Sequence, residues 1–108
     1  MSNSKNKLFS QHDLSKIVKV DKTTLYGEPY MVTEIASRRG GITRNFYDEN
    51  GRQYLQISNN GHGNPKDSRY GIRGEHAHDY IYDSEENLIS RESRELNDNE
   101  RERNGDIL

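Results

Sequence analysis

Residues 42–58 read ITRNFYDENGRQYLQIS. Ile42, Arg44 and Phe46 alternate with Thr43, Asn45 and Tyr47. That is the two-residue period of a strand, whose side chains leave on opposite faces. Asp48-Glu49-Asn50-Gly51 follows, and Asn-Gly accepts the positive φ angles of a tight hairpin turn. Gln53, Leu55 and Ile57 then line one face of a returning strand.

Outward from this hairpin the same grammar recurs. Residues 76–82 run into Asp83-Ser84-Glu85-Glu86-Asn87, and residues 88–94 return. FYDENGRQYLQIS and IYDSEENLISRES share Tyr-Asp at the same point before the turn. Shared turn chemistry accounts for the likeness, since a repeat array needs more copies. Toward the N-terminus, residues 17–20 and 30–35 read as strands, the second entered from a Gly27-Glu28-Pro29 turn. Arg38-Arg39-Gly40-Gly41 ends it as a solvated turn. Asn97 followed by Glu100 forms a capping-box pattern, and Asn104-Gly105 supplies a stop, which predicts a short helix around residues 98–103. The expected fold class is mainly β (small α+β), an antiparallel meander of about five strands with a short C-terminal helix. Residues 1–12 read as a flexible N-terminal tail in which His12 is incidental, and residues 13–108 as a single β-rich domain.

Composition sets limits on this domain. Ile, Leu, Val and Phe number 8, 7, 3 and 2 in 108 residues, a share close to that of disordered chains. Net charge is only −2, so the charge half of the disorder signature is missing. A thin core of this kind favours completion by a partner, a ligand or a second copy. There is no cysteine, which excludes disulfides, thiolate metal sites and thiol nucleophiles. No apolar run reaches membrane-spanning length, and MSNSKNKLFS lacks a secretory apolar segment. The expected location is cytoplasmic, without a membrane partner. Residues 1–80 hold 12 Lys/Arg against 9 Asp/Glu, and residues 81–108 hold 4 against 9. A weakly basic body with an acidic tail argues against non-specific nucleic-acid binding, while leaving room for a locally basic pocket. Glu92, Arg94, Glu95, Glu100, Arg101, Glu102 and Arg103 read as a solvated, self-paired face.

Chemistry concentrates in ISNNGHGNPKDSRYGIRGEHAHDYIYD, residues 57–83. Three of the four histidines, His62, His76 and His78, lie within it. In an extended segment His76 and His78 point the same way, followed by Tyr80 and Tyr82, while Ala77 and Ile81 take the core side. The pair is therefore expected to look outward into a cleft. Imidazoles take and give protons near neutrality. Metal-independent RNA cleavage uses such groups, one removing the 2′-hydroxyl proton and another protonating the leaving oxygen. A cation stabilises the phosphate charge. His62, His76 and His78 are the candidate catalytic residues. Lys66, Arg69 and Arg73 are candidates for phosphate binding, and Tyr80 (or Tyr70) for stacking on an unpaired base. No cofactor is required on this reading. The same residues allow a metal reading, in which His76 and His78 join His62 or a carboxylate as three ligands around an open position. His62-Gly63-Asn64-Pro65 also has the His-x-x-Pro spacing of HNH-type nucleases, but the late helix lacks their downstream metal-binding histidine.

The ordered series of motifs resembles the C-terminal domains of bacterial polymorphic toxins of the LXG, Rhs and contact-dependent types. It comprises Tyr47, Asp48 and Gly51; then His62, Gly63, Asn64, Pro65 and Lys66; then Gly74, His76, His78, Asp79 and Tyr80. The likeness spans about residues 42–96. It implies a small β-rich nuclease domain, hydrolytic in class, paired in cells with a cognate immunity protein. Opening at its own Met1 without a delivery segment, the chain reads as a standalone or mobile-element relative. Two functions follow as expectations. The first is a toxin-like ribonuclease whose partners are RNA and an immunity protein. The second is a non-enzymatic phage or mobile-element interaction module that self-associates or binds a partner protein.

Overall fold

A computed structural model describes residues 4–37, 40–61, 63 and 65–108. Six strands form one sheet in sequence order: β1 (Val18–Lys19), β2 (Val32–Ala36), β3 (Ile42–Tyr47), β4 (Gln53–Ser58), β5 (His76–Tyr82) and β6 (Leu88–Arg94). Among the described residues three short helices accompany them: α1 (Ser4–Ser10), α2 (Pro65–Ser68) and α3 (Asp98–Arg103). The mainly β class stands, with two refinements. There are six strands rather than about five, and β1 pairs parallel with β2 while all other pairs are antiparallel. The parallel pair arises because residues 20–31 cross the sheet instead of turning back. Thr23 and Thr24 on that crossing bond to Asn45 and Tyr47 of β3.

The two Tyr-Asp hairpins share a backbone. Each has a register shift just before its turn, at Phe46/Tyr47 and at Ile81/Tyr82. Asp48 Oδ1 accepts from the amides of Asn50 and Arg52, and Asp83 Oδ1 accepts from those of Glu85 and Asn87. Three residues after each aspartate the chain turns left-handed, at Gly51 (φ 76°) and at Glu86 (φ 67°). The first shift also corrects a face assignment. Gln53 does not share a face with Leu55 and Ile57, because its amide reaches Asn45.

One face of the sheet carries the core. Phe9, Val32, Phe46, Leu55, Ile57, Ala77 and Leu96 form a buried apolar cluster, edged by Leu14, Ile17, Tyr54 and Leu108. This face also holds two arginine hubs, Arg44 buried and Arg94 half-buried. Arg44, 3% exposed, donates to Glu34 and Asn104 at 3.0 Å each and pairs with Asp106. Arg94 pairs with Asp79 at 2.6 Å and with Glu100 at 2.9 Å. Glu100 also closes the capping box with Asn97, as the sequence predicts. The late charge run is thus only partly a solvated face: Glu100 is buried, and Arg94 ties α3 to the sheet.

The N-terminal boundary is corrected as well. Phe9 and His12 are buried, so the domain begins before residue 13. Arg103 of α3 donates to the carbonyls of Phe9, in the last turn of α1, and of His12 just beyond it. His12 is not incidental. Its Nδ1 donates to the Tyr30 carbonyl at 3.0 Å, so its Nε2 accepts from the Tyr54 hydroxyl at 2.7 Å. Burial lowers the His12 pKa from its ordinary 6.5, the Tyr30 bond opposes that, and the Arg103 charge adds to it. An unfolded chain would therefore take up a proton at His12 that the folded chain refuses. Stability from this group is fully present above pH 6.5 and falls as pH drops through the unfolded value. Urea unfolding at about pH 7.5 and about pH 5.5 should show wild type losing more stability than His12→Gln. Equal losses would remove His12 as the cause.

Candidate functional site

The face opposite the core is polar, yet it is buried. Its residues form two rows across the strands. In the first, Thr33, Asn45, Gln56, His78 and Ser93 are successive cross-strand partners from β2 to β6. In the second, Thr43, Ser58 and His76 pair in the same way. Asn45, Ser58 and His76 are at most 1% exposed, and Thr33, Gln56 and His78 at most 9%. Burial of so many polar groups is tolerated only where they bond one another. Asn45 does so in full. Its Nδ2 donates to Thr23 and Thr33 hydroxyls at 3.2 and 3.1 Å, and its Oδ1 accepts from Gln53 and Gln56 amides at 2.8 and 2.9 Å.

At the β5 end of these rows stand the two histidines. The alternation argument holds: Ala77 is fully buried in the core, and His76 and His78 take the other face. The expected outward cleft does not hold, because the segment carrying α2 lies over them. The His76 and His78 rings meet edge to face with centroids 4.7 Å apart. Asp67 of α2 is brought above both. Its Oδ2 is 3.9 Å from His76 Nε2, and its Oδ1 is 3.8 Å from His78 Nε2. Ser93 on β6 donates to Asp67 Oδ1 at 3.0 Å. His76 Nδ1 lies 2.7 Å from the Gly74 carbonyl. A carbonyl only accepts, so Nδ1 carries a proton and Nε2 is the ring nitrogen turned toward Asp67.

Glycine permits this closeness. Gly74 has φ 84°, and a Cβ there would stand 2.6 Å from the Gly61 nitrogen. A Cβ on Gly61 would stand 2.3 Å from Ser68 Oγ. Three backbones thus converge at the cluster, two of them through glycines beside the histidine motifs. Glu75 braces the same loop. Burial pushes its carboxyl up, but hydrogen bonds from the Arg73 amide and the Arg101 guanidinium outweigh this and hold it below the usual range.

Of the sequence-derived site residues, His76 and His78 come together, and His62 lies outside the described residues, as do Asn64, Arg38 and Arg39. Lys66, Arg69 and Arg73 are exposed along the segment that covers the cluster. Arg69 stacks over Tyr70, and Arg73 donates to the Leu108 carbonyl. Tyr70 is the aromatic that reaches the centre, 6.2 Å from the His76 ring. Tyr80 instead lies under Arg91 and lines a groove with Asp48, Glu49, Arg52 and Tyr54. Sequence reasoning missed Asp67 and the polar rows. One signal was available. The residues facing away from the core on β3 and β4 are amides and hydroxyls rather than Lys or Glu, which marks a covered polar face, not a solvated one.

No family model, curated protein or solved structure matches the chain. Among the described residues no helix is long and apolar enough to cross a membrane.

The close approach at Gly74 can be tested against Gly40, a glycine with the same φ whose Cβ would meet none of the described residues within 4 Å. Gly74→Ala should cost about 1–3 kcal/mol more than Gly40→Ala in urea unfolding, since both pay the backbone strain and only the first collides. Equal costs would mean that the convergence is loose.

Proposed function

We infer that this chain is a nuclease domain of the polymorphic-toxin type that cleaves RNA by proton transfer at His76 and His78. The observation that carries the reading is two imidazoles and one carboxylate gathered on a buried polar face. Imidazoles beside a carboxylate are groups that can pass protons near neutrality. Gly74 holds the Nδ1 proton of His76 and leaves Nε2 as its working nitrogen, so we assign to His76 the acceptance of the 2′-hydroxyl proton. His78 then protonates the leaving oxygen, and Asp67 orients both rings. Lys66, Arg69 and Arg73, exposed on the covering segment, supply positive charge for the phosphate. Entry of an RNA strand requires that segment to lift from the imidazoles. The motif series shared with polymorphic toxins supports the same reading and brings with it a cognate immunity protein as partner.

Purified protein incubated with total RNA should cleave it in the presence of EDTA. His76→Ala and His78→Ala should each lower the rate at least about 100-fold with the fold retained. Full activity in either variant would end the assignment.

A second reading has its own observation. β6 is an edge of the sheet whose Leu88 and Ile89 are exposed, Ile89 to 62%. Edges of this kind template pairing with another chain. A non-enzymatic module that self-associates through β6 would run as a dimer in light scattering and as a monomer after Ile89→Lys. A monomeric wild type would dismiss it.

A further inference from the structure

We propose that Asp67, His76 and His78 form a binding site for a transition-metal dication of the zinc class. The proposal goes beyond the RNA reading, because it stands on three side chains whether or not RNA is cleaved. Their ligand atoms all lie within 4.8 Å of one another. The two carboxylate-to-imidazole distances, 3.9 and 3.8 Å, exceed a direct hydrogen bond. Ligand atoms about 2.0–2.1 Å from one ion stand about 3.4 Å apart at tetrahedral angles, so closure on an ion asks the two carboxylate–imidazole distances to shorten by about half an ångström and the widest pair, within 4.8 Å, by up to about 1.4 Å.

The surrounding bonds have the form that metal ligands need. A ligating imidazole donates its far N–H to a carbonyl, which fixes the ring and turns the other lone pair inward. His76 does this through Gly74. A ligating carboxylate is itself held by a donor, here Ser93 at 3.0 Å. His76 and His78 come from one strand and Asp67 from a helix packed over it, so the three approach a common point from two sides. Among the described residues the set has three ligands, and a tetrahedral ion takes a fourth donor. Two imidazoles and one carboxylate favour zinc, cobalt or nickel over magnesium and calcium, which prefer all-oxygen sets. A coordinated Nε2 has no lone pair left to take a proton. Ion binding and proton transfer on these histidines therefore exclude each other, and zinc should suppress the RNA cleavage inferred above.

The test uses the full chain dialysed against zinc, with bound metal counted by emission spectrometry, and against cobalt, read by its visible ligand-field bands. One ion per chain is expected. Asp67→Asn and His78→Ala should each weaken binding at least about tenfold, and Ser93→Ala, which removes the hydroxyl that holds the carboxylate, about tenfold. Folded wild type that holds no stoichiometric ion would overturn the site, as would ion binding left unchanged in all three variants. The two proposals separate cleanly. Ion binding by a protein that leaves RNA intact sustains this site and removes the RNA reading. EDTA-resistant cleavage by a protein that binds no ion does the reverse.

Discussion

Asn45 is the point on which the polar half of the molecule depends. It is completely buried, and its amide uses both donors and both acceptor lone pairs. Its partners come from β2, from two positions of β4 and from the crossing between β1 and β2. A buried amide left short of one bond costs about 1–3 kcal/mol. Such a network therefore tolerates one arrangement of the four segments and penalises register slips. The β4 register that Asn45 enforces places Gln56 opposite His78 and Ser58 opposite His76. The histidine cluster inherits its geometry from an amide two strands away.

The other face is held differently. Its apolar cluster is small, and two guanidinium groups take over part of its work. Arg44 is clasped by Glu34, Asn104 and Asp106, and burial, which would lower its pKa, is outweighed by these partners, so the charge is kept. Arg94 bridges Asp79 and Glu100 and is likewise held charged, mainly by Glu100. Ion pairs of this sort, buried at Arg44 and half-buried at Arg94, contribute little net stability over apolar packing, but removing one partner strands the other. They specify how α3 sits on the sheet. The two faces thus divide the labour: ion pairs and a thin core fix the helices, and neutral hydrogen bonds shape the site.

Much of this architecture was legible from local chemistry. Alternation in residues 42–58, the Asp-led turns and the Asn97–Glu100 box are short-range signals, and each predicts its element closely. What escaped was long-range. Nothing near Phe9 or His12 announces that Arg103 will bind their carbonyls, and nothing near Gln53 announces the bulge that turns it to Asn45. The candidate site was half legible. His76 and His78 declared their common face through spacing, but Asp67 reaches them only because Gly61 and Gly74 let three backbones touch. A glycine in sequence marks freedom. Only the fold shows which neighbour uses it.

The bond between Arg103 and the Phe9 carbonyl joins residues 94 positions apart. Nearly the whole domain lies inside that loop. A ribosome making this chain therefore cannot release a closed molecule segment by segment. The first helix waits beside an open sheet until the residues of α3 have cleared the exit tunnel, and only then does the apolar face close. Both arginine hubs recruit partners from that last stretch of chain. During synthesis the nascent protein exposes its apolar face and its edge strand together until α3 emerges, an interval of seconds at about 5–20 residues per second in which it is most aggregation-prone.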